Sequence, residues 1–106
     1  VQAVTISKYG PIEEVVEVGA RPVPEAGPQE VLIEVRAASV NPIDRLTVAG
    51  FRQAGSAPAE PKVLGNDVAG VVVRTGSSVT KFVAGDEVFA RIDPRAGGTF
   101  AEFVAV

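Results

Sequence analysis

The residues able to do chemistry fall in two short polar clusters, Asn41-Pro42-Ile43-Asp44 and Asn66-Asp67, with Phe51 and Arg52 opening the segment between them. The first cluster has the layout of a helix start: Asn41 as N-cap, Pro42 at the first helical position and Asp44 in the first turn, where a carboxylate can reciprocate the cap. Asn66 and Asp67 have the chemistry of turn residues ahead of a strand, and equally that of a polar pair lining a site. What is missing narrows the field further. The chain has neither histidine nor cysteine, so the imidazole and thiolate ligands of a zinc site are not available, nor is a Ser–His or Cys–His nucleophile pair. No G-x-G-x-x-G follows a strand, residues 65–70 lack the lysine of a phosphate loop, and Gly97-Gly98 precedes a strand and not a helix. This stretch has no visible means of holding a dinucleotide alone, so it is not expected to be a complete hydride-transfer enzyme.

The elements that position these clusters are short. At 106 residues the chain has the size of one domain able to close a single core. An apolar share of 46% with 22% charged residues fits a packed globule. Valine dominates, with eleven glycines and eight prolines, which favours brief strands and many turns. Alternation predicts strands over residues 1–7, 14–18 and 31–40, the last with Val31, Ile33, Val35 and Ala37 on one face and Glu34 and Arg36 on the other. Val71-Val72-Val73, within a strand at 69–75, is apolar on both faces, as a central strand should be. Strands at 87–91 and 100–106 follow. Pro42–Ala49 is predicted as two helical turns stopped by Gly50, and residues 51–62 as a surface loop. Phe82, Phe89, Phe100 and Phe103 are expected in the core. The fold class is mainly β: a small, partly open barrel with one or two short helices.

The formal charge is −3 and the ten basic residues are scattered, so no basic stripe invites nucleic acid or an anionic membrane. No apolar run approaches the roughly 20 residues of a bilayer span. The first residues lack the layout of a signal peptide, and the cytoplasm is the expected compartment.

Three stretches in register carry a resemblance: SVNPIDRLTVAG (39–50), VLGNDVAGVVVRTGSSVTKFVAGDEVFA (63–90) and GGTFAEFVAV (97–106). Together they resemble the N-terminal GroES-like domain of the medium-chain dehydrogenase/reductase superfamily, and within it the zinc-free quinone oxidoreductase and enone reductase branch. The resemblance implies that residues 1–106 are a GroES-like catalytic domain whose nucleotide-binding Rossmann domain lies outside this chain. Zinc-dependent relatives carry cysteine where Asn41 stands and a His-Glu pair where Asn66-Asp67 stands. The resemblance places Asn41, Pro42 and Asp44 at the cleft where NADPH binds, with Asn41 orienting the nicotinamide or the substrate carbonyl. Phe51, Asn66 and Asp67 are the expected substrate-side residues, the substrate a quinone or enone, and no metal is expected. Leu46 departs from quinone reductases that place a tyrosine there. The implied activity is hydride transfer within a larger NADPH-dependent oxidoreductase, the isolated chain being inactive.

Two other classes share the barrel type and length. A co-chaperonin needs an apolar grip in a flexible loop, which FRQAGSAPAEPK (51–62) lacks. A stand-alone small-ligand module would bind a quinone without NADPH. In the resembled family a later segment returns to complete this domain, so the uncovered edge predicts a homodimer or other self-association, or further sequence after Val106.

Overall fold

A computed structural model describes residues 1–51, 58 and 61–106. The first sheet is built around β1 (Gln2–Ile6), which pairs antiparallel with β2 (Val16–Ala20) on one side and β4 (Lys62–Val63) on the other. The second sheet has the order β6-β5-β3-β7, formed by β3 (Val31–Ala37), β5 (Asp67–Thr75), β6 (Glu87–Arg91) and β7 (Phe103–Ala105). A bridge between Ala3 and Ala101 links the two sheets, and they do not close on each other. The expected mainly β fold with short helices forms, as two sheets that are not closed into a barrel.

Two helices complete the fold. Residues 14–18 do not make one strand. Pro11 accepts the N–H groups of Glu14 and Val15 at 3.0 and 3.1 Å, and a single turn, α1 (Ile12–Val15), forms before β2. Two consecutive glutamates sit in its first turn, where the helix dipole favours them, and this outweighs the alternation. The second helix, α2 (Pro42–Ala49), has the limits predicted from its caps.

The apolar core is in two parts. Val31, Ile33, Val68, Val72 and Val104 pack on the second sheet, and Ile6, Val15, Val48 and Leu64 join β1 to the two helices. Burying Val48 alone contributes roughly 1.5–3 kcal/mol and fastens α2 to the first sheet. β5 is central as expected, although Val73 is partly exposed on its outer face. Two aromatic residues correct the expected core. Phe89 is 89% exposed and Phe82 is exposed at 44%. Phe89 shares its side of the edge strand β6 with Glu87 and Arg91, while Val88 and Ala90 turn inward. Phe100 does pack on the core, and Phe103 is half-buried. The last strand begins at Phe103, since 97–102 is spent turning into it. Among the described residues no helix is long and apolar enough to cross a membrane. Most of the loop expected over 51–62 lies outside the described residues, Arg52 included.

Candidate functional site

α2 places the first polar cluster at a fixed point. Asn41 is extended (φ −126°, ψ 163°) and ends the excursion from β3, and Pro42 begins the helix with its ring. The carboxylate of Asp44 accepts the Asn41 N–H at 2.7 Å, and Asn41's side chain faces the Asp44 N–H in return, the reciprocal capping box. Asp44 is thereby buried, with Oδ1 finding no partner among the described residues. At the other end Gly50 takes a left-handed φ of 85°. Its N–H reaches Thr47 O (3.1 Å) and that of Phe51 reaches Leu46 O (2.9 Å), the Schellman pairing.

The second cluster meets the first. Asp67 opens β5, and its Oδ2 accepts from Asn41 Nδ2 at 2.6 Å and from Ser39 Oγ at 3.1 Å. A carboxylate only accepts, so the Asn41 amide nitrogen must face Asp67, which fixes the direction of the whole amide. The other Nδ2 hydrogen has only a long contact, 3.4 Å, to Ser39 Oγ, and a ligand oxygen at ordinary distance would displace it. Asn41 thus offers one N–H and a spare carbonyl lone pair, between two carboxylates.

Asn66 sits differently from its neighbour. It is buried, its main-chain carbonyl accepts the Ile92 N–H at 2.7 Å, and its side-chain Nδ2 has no partner among the described residues. It lines no cleft. The preceding Gly65 explains why the chain can pass here: φ is +96°, and a Cβ at this position would collide with Thr99 Oγ1 and the Phe100 ring. Gly65 lets β5 start against the buried Thr99, and so sets where Asp67 emerges.

A cleft of about 700 Å³ runs along α2, walled by Ile43, Leu46, Phe51 and Tyr9 and closed by Lys62 and the 93–95 turn. Phe51 is half-exposed at its rim. Lys62 was not anticipated: it is the last residue of what reads as a surface loop, and only pairing of β4 with β1 brings it inward. Its ammonium donates to Pro94 O (3.2 Å) and Arg95 O (2.6 Å). Burial lowers its pKa from the ordinary lysine value, with the Asp93 charge opposing. Asp93 in turn is clasped by Arg95, through Nε at 3.2 Å and Nη2 at 2.8 Å, and these hydrogen bonds hold its carboxyl at about 2. A larger cleft, about 820 Å³, lies over Val31, Ile33 and Val88 and is edged by Phe82 and Phe89. It holds none of the residues from either polar cluster. Among the described residues no three His, Cys, Asp or Glu side chains gather as a metal cage.

The sequence-derived site therefore divides in three. Asn41, Asp44 and Asp67 are brought together, Pro42 stands exposed beside them, Phe51 lies on the cleft, and Asn66 lies beneath the surface. Ser39 joins the hydrogen-bonded group without having been signalled, since a serine at a strand end carries no distinctive spacing.

Comparison with known proteins bears on the family and the fold. Residues 27–106 match the alcohol dehydrogenase GroES-like domain. Over 90 residues the chain is 43% identical to the chloroplastic NADPH-dependent alkenal/one oxidoreductase of Arabidopsis thaliana, an alignment covering 79% of this chain and 23% of that protein. The quinone oxidoreductase of Coxiella burnetii superposes with a TM-score of 0.86 at 32% identity, over 98% of this chain and 33% of that one. The Escherichia coli quinone oxidoreductase solved with NADPH superposes with a TM-score of 0.85 at 25% identity, over 100% of this chain and 31% of that one. The chain spans a quarter to a third of the length of these relatives. Its sheet order, its capped α2 and these alignments lead to one assignment: the chain belongs to the GroES-like domain family of the medium-chain dehydrogenase/reductase superfamily, whose members similar to it include quinone oxidoreductases and enone reductases.

Proposed function

We propose that this domain is the substrate side of a zinc-independent, NADPH-dependent oxidoreductase acting on quinones or enones, with the nucleotide carried mainly by a separate Rossmann-type domain. The observation that carries this reading is the oriented amide of Asn41. One N–H and one carbonyl lone pair side by side are the complement of a carboxamide, and the flanking carboxylates Asp44 and Asp67 suit a ring that becomes positive as it is oxidised. The donor set thus fits the nicotinamide end of NADPH. When bound, that cofactor supplies a hydride, two electrons with a proton. The same carboxylates disfavour an oxyanion beside Asn41, so its contact is assigned to the nicotinamide and not to the substrate carbonyl. Pro42 shapes the same edge, and Asp44 holds the Asn41 N–H in place. On the substrate side, Phe51 provides an apolar wall and Asp67 fixes Asn41, with Asn66 supporting Asp67 from below. Zinc independence rests on the absence of histidine and cysteine.

In the reaction, the β-carbon of the enone gains the hydride, its carbonyl oxygen gains negative charge, and water returns a proton to the α-carbon. No residue of this domain has to be consumed. The exposed Phe89 and Val83 give the chain an apolar surface, and with the edge strand β6 they support self-association, in its simplest form a homodimer. The cytoplasm, whose reducing conditions suit a cysteine-free chain, is the proposed compartment. The test is NADPH oxidation by the full-length polypeptide with an alkenal, an enone or a quinone, for wild type, Asn41→Ala and Asn41→Asp. Asn41→Ala is expected to lower kcat/KM about tenfold, one lost hydrogen bond. Asn41→Asp, which exchanges the donor for a third carboxylate, is expected to lower it further. No oxidation with any acceptor, or unchanged kcat/KM in both variants, would overturn the reading.

A further inference from the structure

We infer that Lys62 is the cation that faces the substrate oxygen on which negative charge collects, and that it selects acceptors carrying a polarised carbonyl at that end of the cleft. This rests on the reading above of the domain as the substrate side of a reductase. Asp93 and Arg95 are clasped to each other through two side-chain hydrogen bonds and one from the Arg95 main-chain N–H, so they largely cancel. One carboxylate, Asp93, thus serves two cations, Arg95 by hydrogen bonds and Lys62 by charge alone, which leaves one net positive charge among the described residues lining a cleft otherwise walled by Ile43, Leu46, Thr47, Phe51 and Tyr9.

Geometry adds to this. The ammonium is held by two main-chain carbonyls, Pro94 O and Arg95 O. These neutral acceptors fix its position without neutralising it. A lysine has three donor hydrogens, and the third finds no acceptor among the described residues. A donor already fixed in place costs no reorganisation when charge develops in front of it.

The polar cluster at the start of α2 has the reverse sign, and its Asp67 and Ser39 line a neighbouring cleft of about 590 Å³. Asp44 and Asp67 flank Asn41 at the start of α2, while Ile43 and Leu46 of the same helix line the cleft that ends at Lys62. A substrate whose oxygen turned toward Asn41 would set its growing negative charge beside two carboxylates. The alternative orientation, oxygen toward Lys62 and reacting carbon toward the Asn41 end, separates the charges correctly.

The experiment uses the full-length polypeptide, wild type, Lys62→Arg and Lys62→Met. 4-Nitrophenol is the binding probe, because its phenolate mimics an enolate oxygen and absorbs differently from the neutral phenol. Wild type and Lys62→Arg should bind it as the phenolate, at a pH where free 4-nitrophenol is still largely neutral. Lys62→Met should lose that ionisation shift, and its kcat/KM for an enone should fall roughly 10- to 100-fold, mostly in kcat, less than the roughly 100- to 1,000-fold of a lost donor in an enclosed oxyanion hole because this cleft is partly open to water. Rescue by Lys62→Arg separates the charge from the packing of a lysine stem. Wild type that leaves the phenol neutral or does not bind it overturns the proposal, as does Lys62→Met that keeps both the shift and the turnover. Should wild type shift the phenol yet reduce no enone or quinone with NADPH, the reductase reading fails while the anion site at Lys62 stands.

Discussion

Replacing Asp67 by alanine tests how the two polar clusters depend on each other. The carboxylate accepts Asn41 Nδ2 at 2.6 Å and Ser39 Oγ at 3.1 Å. Hydrogen bonds to a charged group contribute about 1.5–3 kcal/mol. Asn41 is half-buried and Ser39 exposed, so the lower part of that range applies, about 1.5 kcal/mol for the Asn41 contact. If the amide must point one way to meet the nicotinamide, that loss appears in the transition state, and about 1.4 kcal/mol corresponds to tenfold in rate. Asp67→Ala in the full-length polypeptide should therefore lower kcat/KM for an enone roughly tenfold. Asp67→Asn keeps an acceptor at the same reach and should recover part of the loss. The assay is NADPH consumption over a range of enone concentrations, accompanied by urea unfolding of each variant. The reasoning is refuted if Asp67→Ala stays within about twofold of wild type in kcat/KM, a change worth less than the weakest of these bonds.

Three further outcomes follow from the same geometry. Gly65→Ala forces a side chain into a left-handed backbone against Thr99 and Phe100. Strain and overpacking together should cost about 3 kcal/mol and lower Tm by more than about 10 °C in a thermal melt. Lys62 is held below its ordinary value of 10.5 by burial, so the folded chain gives up this proton at lower pH than the unfolded chain. Stability should then rise as pH climbs from the folded value toward 10.5, while kcat/KM falls over the same interval. Asp93, Arg95 and Tyr9 share that cleft, so the pH profile is compared between wild type, Lys62→Arg and Tyr9→Phe, and only Lys62→Arg should remove the alkaline fall. Phe89→Glu on the edge strand should reduce self-association in sedimentation velocity, and an unchanged sedimentation coefficient would place the contact elsewhere.

How much of this was legible in the sequence depended on whether the determining interactions are local. The limits of α2 were readable because Asn41, Pro42, Asp44 and Gly50 act within one turn of the helix they bound. β3 was readable from alternation, although it stops at Ala37 and not at residue 40, where the chain leaves the sheet to reach the cap. At residues 14–18 alternation misled, because Pro11 and two glutamates start a helical turn that a period-two pattern does not detect. Phe89 misled for another reason: aromatic residues are usually buried, and nothing local reveals that its strand lies at a sheet edge. The candidate site was legible as a list of residues and not as an arrangement. The hydrogen bond between Asn41 and Asp67 spans 26 positions, and the inward turn of Lys62 depends on pairing between β4 and β1 across more than half the chain. Asn66 and Asp67 are adjacent in sequence, yet one is buried and the other meets Asn41, a difference decided by the left-handed turn at Gly65.

The most direct measurement of the central claim compares NADPH oxidation by the full-length polypeptide with that by residues 1–106 alone, each with an enone acceptor and a strong metal chelator present. The account predicts that the longer protein consumes one NADPH per enone reduced, undiminished by the chelator, and that the isolated domain consumes none. Turnover by the isolated domain, or loss of the longer protein's activity on chelation, would contradict it.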